Sequence, residues 1–315
     1  MRVFLTGATG YVGSVVAEKL QHAGHAVVAL ARSDASAAAL AARGAEVVRG
    51  DLDAVDTLAD AARAADGVIH TAFDLSTGDF GAAVATEARA VRAFLGALDG
   101  TGTPLVVTSG TAILGDTGDR VFDEETPVPA PAPGEAPSGM DAVRARADVE
   151  RAVLTARGVR GVVLRPPNVY GRSGGKSVLT LLRVAAQALG AVPYAAGTGD
   201  HRWSFVHVDD LADLYVRALE RAGAGELFHA AGESGLRTRA IAEALSRGIG
   251  LGGRTVELDS ADLGRALGFP PLAEYWARNS QSSGEKARRV LGWRPAHVDL
   301  LAELARPAAP PGPAA

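Results

Sequence analysis

The sequence predicts an α/β protein with a Rossmann-like, doubly wound parallel sheet and a smaller C-terminal α/β lobe. Through the first 165 residues, short β-rich runs alternate with longer helical patterns, as in parallel βαβ units. Gly7, Gly10 and Gly13 separate the first apolar run from the first helical pattern. Beyond Arg165 the alternation gives way to a mixed pattern, which indicates an appended lobe.

The elements of the first half follow from this alternation. Apolar, β-branched runs predict strands at residues 2–6, 25–31, 45–49, 67–71, 104–108 and 160–165. Helical patterns occupy residues 11–23, 35–43, 55–64, 80–98 and 139–157. The last of these has a possible capping box at Ser138 and Asp141 and stops before Gly158.

The second half carries five predicted helices, at residues 177–189, 208–221, 238–246, 261–266 and 283–291, with short strands between them. We assign residues 1–172 to the dinucleotide-binding sheet domain, to which part of 201–230 returns, and 173–305 mainly to the substrate lobe. The Pro, Ala and Gly-rich tail 306–315 is expected to be disordered. The loop 116–137, dense in Pro, Gly and acids, is expected to form a functional surface.

Composition narrows the classes of partner. The chain is 47% hydrophobic and 22% charged with a net charge of −4, which gives no electrostatic reason to expect nucleic acid or an anionic membrane. The absence of cysteine excludes disulfides and thiolate metal ligands, and we predict no metal site. The N-terminus lacks a signal-peptide pattern, so a cytoplasmic protein is expected.

The glycine-spaced turn is the first candidate site. A strand that enters a helix through such a turn lets bare backbone approach a diphosphate, and the helix N-terminus supplies N–H donors. The predicted cofactor contacts here are Thr6, Gly7, Thr9, Gly10, Tyr11, Val12 and Gly13.

The end of the second strand bears on which dinucleotide binds. An acidic residue there would bind both ribose hydroxyls, but this chain offers Arg32 and Ser33. A guanidinium and a hydroxyl suit a 2′-phosphate, which favours NADP(H), with NAD(H) possible. The alternative is that Arg32 is a solvated loop charge.

Two further strand ends face the same cofactor. Asp51 is placed to accept from the adenine amino group while Leu52 packs on the ring; the alternative for Asp51 is a helix cap, a role that we assign to Asp53. Small Thr71 and Ala72 at the fourth strand end let a dinucleotide lie across it.

Six segments together resemble the extended short-chain dehydrogenases/reductases of the NAD-dependent epimerase/dehydratase group. They are TGATGYVG (6–13), GDLD (50–53), VIHTA (68–72), VVTSGTAILG (106–115), VVLRPPNVYG (162–171) and RWSFVHVDDLA (202–212). The resemblance implies a Rossmann domain, a C-terminal substrate lobe and a homodimer paired through the helices at 80–98 and 139–157.

The chain departs from that family at the usual acid–base pair. The family uses a Tyr with a Lys four residues later, but none of the five tyrosines here is followed by such a Lys. Aligned by Glu150, the pair falls on Ala142 and Arg146; aligned by Asp148, it falls on Met140 and Arg144. We favour Arg146 as the inward residue, able to hold the nicotinamide ribose but not to shuttle a proton.

Other polar residues near the expected crevice complete the candidate site. The family's usual serine position falls on Gly110, so Ser109 or Thr111 is the candidate to polarise a substrate carbonyl, unless both hydroxyls bond to backbone. Pro166 and Asn168 are predicted beside the nicotinamide. Tyr170, Lys176 and Arg202 are predicted to contact substrate, Arg202 at a family position that often grips a phosphate.

Three functions remain open from the sequence. The first is an NADP(H)-dependent oxidoreductase that acts on a small carbonyl or alcohol metabolite and takes its proton from a hydroxyl with water, a loop acid such as Asp74 or Glu124, or the substrate. The second is a sugar-nucleotide epimerase or dehydratase, which the missing Tyr and Lys disfavour. The third is a non-catalytic dinucleotide-binding sensor.

Overall fold

The computed structural model describes residues 1–74, 78–129, 143–172, 177–268 and 270–307. The strands are β1 (Arg2–Thr6), β2 (Ala26–Ala31), β3 (Glu46–Arg49), β4 (Gly67–His70), β5 (Pro104–Thr108), β6 (Arg160–Arg165), β7 (Asn168–Tyr170), β8 (Val192–Ala195), β9 (Arg202–His207), β10 (Glu226–His229), β11 (Glu233–Arg237) and β12 (Thr255–Leu258).

The helices of the described part follow the same chain order. They are α1 (Tyr11–His22), α2 (Asp34–Ala42), α3 (Val55–Arg63), α4 (Phe80–Leu98), α5 (Arg146–Leu154), α6 (Val178–Leu189), α7 (Val208–Arg221), α8 (Thr238–Gly248), α9 (Ser260–Leu267), α10 (Pro270–Trp276), α11 (Glu285–Leu291) and α12 (Leu300–Ala305), with a 3-10 turn at Thr111–Leu114 after β5.

A seven-stranded sheet in the order β10-β6-β5-β4-β1-β2-β3 forms the centre of the fold, and every neighbouring pair in it is parallel. The alternation of β1 explains its two faces: Val3 and Leu5 pack in a core with α1 and α7, whereas Phe4 packs in a second core with α3, α4 and α5. The fold class is therefore the predicted Rossmann-like α/β class.

The smaller lobe has its own core and two small sheets, β11-β9-β7 and β12-β8. The chain leaves the large sheet after β6 and returns to it through α7 and β10, which pairs with β6. Trp203 and Trp276, with ring centroids 4.5 Å apart, pack in the core of the smaller lobe.

The predicted elements agree with the structure at most positions. β1, β5, β6, α4 and α7 have the predicted bounds. The helix predicted at 139–157 is described as α5, and its possible cap at Ser138 and Asp141 lies outside the described residues. Helices α10 and α12 were not predicted; α10 starts with two prolines, which favour a helix start but obscure the apolar period. None of the described helices has the length and apolar character needed to cross a membrane.

Candidate functional site

Gly7 and Gly13, at the turn from β1 into α1, leave no space for a side chain. Gly7 has φ +78°, and a Cβ on it would lie 2.7 Å from Thr71 Oγ1. A Cβ on Gly13 would lie 2.1 Å from the carbonyl oxygen of Gly7. Gly10 caps α1 without a side-chain hydrogen bond, and the first turn of α1 carries no acid. The N-terminal amides of α1 are thus left open to an anion, which fits the diphosphate of a dinucleotide.

A cavity of about 770 Å³ extends from this loop across the carboxyl ends of β1 to β4. Many of the predicted cofactor residues line it, namely Gly7, Thr9, Gly10, Tyr11, Val12, Gly13, Arg32, Ser33, Asp51, Leu52, Thr71 and Ala72. Leu30, Ser36, Phe73 and Asp74 also line it and were not among the predicted contacts. Ligands of doubly wound sheets bind at this edge, so the cavity lies where a dinucleotide is expected.

Arg32 stands at the rim of the cavity. Its side chain is 69% exposed, and Nη1 lies 3.3 Å from Asp74 Oδ2 across the rim. The Ser33 hydroxyl accepts from the Ser36 amide at 3.2 Å and caps α2. Arg49 donates to the Ser33 carbonyl oxygen, which places a second guanidinium beside the same turn. The rim therefore offers one guanidinium, two hydroxyls and a helix N-terminus. The second guanidinium, that of Arg49, is held at the same turn by the Ser33 carbonyl oxygen and Asp34.

The assignment of the helix cap after β3 was wrong. Oδ1 of Asp51 accepts from the amides of Asp53 and Ala54 at 3.0 and 3.1 Å, so Asp51 holds the turn before α3. Asp53 instead pairs with Arg89 of α4 at 2.5 Å. Asp51 still lines the cavity, with one carboxylate oxygen engaged in the turn.

Thr6 is buried beneath the cavity, contrary to its predicted contact with the cofactor. It is fully buried, and its hydroxyl lies 2.7 Å from Nδ1 of His70. Burial, with a smaller contribution from the charge of Arg146, lowers the pKa of His70 to about 3. His70 is therefore a neutral core imidazole that supports the ends of β1 and β4.

Four predicted residues meet at the ends of β5 and β6. The Ser109 amide donates to the Leu164 carbonyl oxygen at 2.7 Å, and the Thr111 amide donates to the Pro166 carbonyl oxygen at 3.1 Å. These bonds bring Ser109 and Thr111 beside Pro166 and Asn168.

The side-chain polar atoms of this corner lack partners among the described residues. They are Ser109 Oγ, Thr111 Oγ1 and Asn168 Nδ2, and all three atoms are buried. The alternative that both hydroxyls bond to backbone therefore finds no support in the described part of the chain. Buried polar atoms without partners are costly and suggest a ligand site.

Arg146 is buried, but it does not face the described cavity. It donates from Nε and Nη2 to both carboxylate oxygens of Glu87, at 2.9 and 2.5 Å, and from Nη2 to the Thr108 carbonyl oxygen at 2.6 Å. The Phe73 ring, which lines the cavity, has its centroid 4.5 Å from the guanidinium. Arg146 thus lies behind Phe73, with its charge opposed by Glu87.

The three residues predicted to contact substrate differ in burial and in whether the structure describes them. Tyr170 is 3% exposed, packs in the core of the smaller lobe and donates to the His297 carbonyl oxygen at 3.2 Å, so its predicted substrate contact was wrong. Arg202 begins β9 with an exposed side chain, while its amide donates to Asn279. Lys176 lies outside the described residues.

The main residue missed by the sequence analysis is Glu87. It lies mid-helix in α4 and is 2% exposed, on a buried face otherwise made of Ala, Val, Phe and Leu. A lone acid on the apolar face of a helix was the available signal, because a buried carboxylate requires a partner.

Comparison with known proteins agrees with this fold. The family model described as the NAD dependent epimerase/dehydratase family matches residues 3–231. An uncharacterized protein of Schizosaccharomyces pombe is 34% identical over 306 residues, covering 97% of this chain and 98% of its own length. A 3-diazoavenalumate denitrifying reductase of Streptomyces sp is 33% identical over 321 residues, covering 97% and 100%.

A solved structure shows the same architecture. The crystal structure of a human epimerase family protein with NADPH matches with a TM-score of 0.73, at 21% identity, over 97% of this chain and 99% of that one. With the family model spanning most of the chain and the relatives matching end to end, the chain belongs to the NAD-dependent epimerase/dehydratase family.

Proposed function

We propose that the protein is a nicotinamide-dinucleotide-dependent oxidoreductase that transfers hydride to or from a small metabolite with a carbonyl, an alcohol or a related polar group, with NADP(H) preferred. The observation that carries the proposal is the glycine-spaced turn, whose amides open onto a cavity of about 770 Å³. The bound dinucleotide would supply the hydride.

The chain's own residues define how the cofactor would be held. The amides of the glycine turn would bind the diphosphate, and Leu52 would pack on the adenine. Arg32 and the hydroxyls of Ser33 and Ser36 line the rim and would bind a 2′-phosphate, the group that distinguishes NADP(H). Asp74 pairs with the Arg32 guanidinium and would have to release it when a 2′-phosphate binds.

The substrate would lie at the corner between β5 and β6. The hydroxyls of Ser109 and Thr111 and the amide of Asn168 would bind its polar atom, because these groups have no other partner among the described residues. Arg146 would position the end of β5 through the Thr108 carbonyl, as a positioning residue and not a proton carrier.

The reductase relative favours hydride transfer over epimerisation. A Streptomyces relative that matches from end to end is named a reductase of a diazo compound. Epimerisation and dehydration of a sugar nucleotide need repeated proton transfers at a sugar hydroxyl, and the chain lacks the usual Tyr and Lys for them.

Calorimetry and turnover test the proposal together. We expect the purified protein to bind NADPH more tightly than NADH, and a panel of small acceptors to contain at least one that consumes NADPH stoichiometrically. Tighter binding of NADH would overturn the cofactor preference. Binding of NADPH with no turnover of any acceptor would support a sensor, and tightly copurified cofactor with no net consumption would support an epimerase.

We also propose a homodimer paired through α4 and α5. The two helices lie side by side on one face of the large sheet and contribute to the same core. Light scattering after size-exclusion chromatography is expected to give twice the chain mass; a monomer at micromolar concentration would contradict this assembly.

A further inference from the structure

We propose that the site is built for hydride acceptors that already carry a positive charge on an unsaturated nitrogen, namely iminium or aryl-diazonium ions, in preference to neutral ketones. The inference rests on the proposed function and specifies its substrate class. It follows from where the structure places the proton donors of the chain.

All five tyrosines are described, and each hydroxyl is engaged in a hydrogen bond; of the five, Tyr215 reaches the end of β5, through Thr108. Tyr11 donates to the Gly171 carbonyl, Tyr170 to the His297 carbonyl and Tyr194 to Glu257, Tyr215 bonds to Thr108, and Tyr275 bonds to Ser280. Since Thr108 donates to the His70 carbonyl oxygen, the Tyr215 proton is committed to Thr108. No phenol is placed to act as a general acid there.

The histidine that ends β4, next to the cavity, is also unsuitable. His70 is fully buried and neutral at physiological pH, as its lowered pKa requires. An imidazole can protonate a substrate effectively only if it is charged near the working pH.

The carboxyl groups named as candidate acids are held elsewhere. Asp74 is paired with Arg32 at the rim, and Glu124 accepts from the His229 amide at 2.7 Å at the end of β10. The segments outside the described ranges add only Glu135, Asp141 and Lys176 as titratable side chains. The ordinary pKa values of those three side chains lie far from neutrality.

The buried cation near the site is also compensated. Arg146, one of the two residues that align with the family's Lys, donates two hydrogen bonds to Glu87. An alkoxide that formed at the substrate would find little net positive charge from this pair. The hydroxyls of Ser109 and Thr111 and the amide of Asn168 add no charge to the corner. The Arg144 guanidinium lies at the far end of the Thr111–Leu114 turn, 3.4 Å from where a Cβ on Gly115 would stand.

The two classes of acceptor differ in what they require. A neutral ketone that gains hydride at carbon becomes an alkoxide, which must then take a proton. An iminium carbon that gains hydride becomes a neutral amine, because the π electrons of the C=N bond move to nitrogen and cancel its charge. An aryl diazonium that gains hydride at its terminal nitrogen becomes a neutral diazene. Neither nitrogen acceptor needs a proton from the protein.

A corner of buried, uncharged polar groups without a general acid favours the nitrogen acceptors. Hydride transfer to an iminium moves the positive charge from the acceptor to the nicotinamide, so no new charge forms. Hydride transfer to a ketone creates two opposite charges, an alkoxide and a nicotinamide cation. Since uncompensated charge is costly away from water, the corner slows the reaction that creates charge. The missing general acid alone accounts for a factor of about 10² to 10⁴ against the ketone.

The kinetic test compares matched acceptors with the full-length protein and NADPH. The pair is an N-methylated cyclic iminium and the ketone of the same ring; a substituted benzenediazonium ion forms a second arm. We expect kcat/KM for a nitrogen acceptor to exceed that for the ketone by about 10²-fold or more. The permanently charged iminium should show a flat pH profile around neutrality, since no protein acid takes part. Uncatalysed reduction is subtracted with Gly13→Ala, in which the cofactor turn is blocked.

A binding measurement provides a readout independent of turnover. With NADPH present, calorimetry compares a cyclic quaternary ammonium ion with its uncharged carbon isostere, neither of which can be reduced. We expect the cation to bind more tightly, because the unpartnered hydroxyl oxygens of Ser109 and Thr111 can compensate its charge. We expect Ser109→Ala with Thr111→Val to weaken this preference.

The outcomes separate the inference from the proposed function. Equal or faster reduction of the ketone, or tighter binding of the neutral isostere, would overturn the preference for cations while leaving the oxidoreductase in place. NADPH binding with no reduction in any arm would overturn both. Reduction of only the iminium or only the diazonium ion would support the inference and identify which of the two cations the site accepts.

Discussion

Arg146 and Glu87 form a buried two-point ion pair that joins α5 to α4. Their bonds measure 2.9 and 2.5 Å, and only 11% of the Arg146 side chain and 2% of the Glu87 side chain are exposed. The third Arg146 bond, to the Thr108 carbonyl oxygen, ends at the strand that leads to Ser109. The pair thus connects the helix face beside the sheet to the proposed substrate corner.

Removal of one partner of this pair is expected to lower the free energy of unfolding strongly. Glu87→Ala would leave a guanidinium buried without its counter-charge, and such losses cost about 3–5 kcal/mol. Urea denaturation at neutral pH measures the effect. The matched control is Asp148→Ala in the exposed Arg151–Asp148 pair of α5, where about 0–1 kcal/mol is expected. Equal losses in the two variants would show that burial does not set the strength of the Glu87 pair.

Gly13→Ala is expected to abolish dinucleotide binding. The added Cβ would lie 2.1 Å from the Gly7 carbonyl oxygen, so the turn must open and its amides lose their alignment. Gly96→Ala is the control, because no atom lies within 4 Å of its added Cβ and the residue is helical. Calorimetry with NADPH checks affinity and circular dichroism checks folding. Full NADPH affinity in a folded Gly13→Ala protein would contradict the proposed site.

The large sheet was predictable because its signals are local. Buried parallel strands read as short apolar runs, and each is separated from the next by a helical period, so β1, β5 and β6 were located to the residue. The glycine turn was also predictable from the sequence, because close approach of other atoms to the backbone favours glycine at its three glycine positions. Helix α12 was missed, since it is short and its support comes from α8, far away in sequence.

The pairing of charges was not predictable, because it depends on contacts between distant segments. Arg146 was identified as inward, but its partner Glu87 lies 59 residues earlier. Asp51 holds the turn before α3, and Asp53, expected to be the cap, pairs with Arg89 of α4, a contact that no local pattern indicates. The sequence indicated that Tyr170 is a polar residue near the crevice. Because side chains alternate between the two faces of β7, Tyr170 instead packs in the core of the smaller lobe.

Arg32→Ala is expected to weaken NADPH binding while leaving NADH binding nearly unchanged. The lost charge-assisted hydrogen bond to a 2′-phosphate is worth about 1.5–3 kcal/mol, or roughly 10- to 150-fold in Kd. Arg63→Ala on α3 serves as a control, since Arg63 is also exposed and pairs locally with Asp60. Fluorescence titration of the three proteins with the two cofactors gives six dissociation constants, and an equal change for both cofactors in Arg32→Ala would remove Arg32 from the 2′-phosphate site.

Asp74→Asn tests the same rim from the opposite side. Asp74 lies 3.3 Å from Arg32 and competes with a phosphate for the guanidinium. Because the pair is exposed, its strength is at most about 1 kcal/mol, so NADPH affinity should rise by roughly two- to five-fold. NADH affinity should change less. A fall in NADPH affinity would instead give Asp74 a role in holding the rim in its binding shape.

His70 is expected to make the fold sensitive to acid. Burial lowers its folded pKa to about 3, while the unfolded chain titrates near 6.5. Between these values the unfolded state takes up a proton that the folded state refuses, so the free energy of unfolding falls as pH falls. The slope due to this residue approaches about 1.4 kcal/mol per pH unit, and the contribution of His70 to stability is complete above pH 6.5.

His70→Leu separates this contribution from the rest. The variant should be less stable than the wild type at pH 7, since Thr6 loses its partner, but its stability should fall less steeply toward pH 4. His229, whose pKa burial lowers to about 4, remains in both proteins and cancels in the comparison. Urea denaturation in steps of pH gives the two slopes. Parallel slopes would mean that His70 is protonated in the folded protein, and its neutral role beneath the cavity would then be wrong.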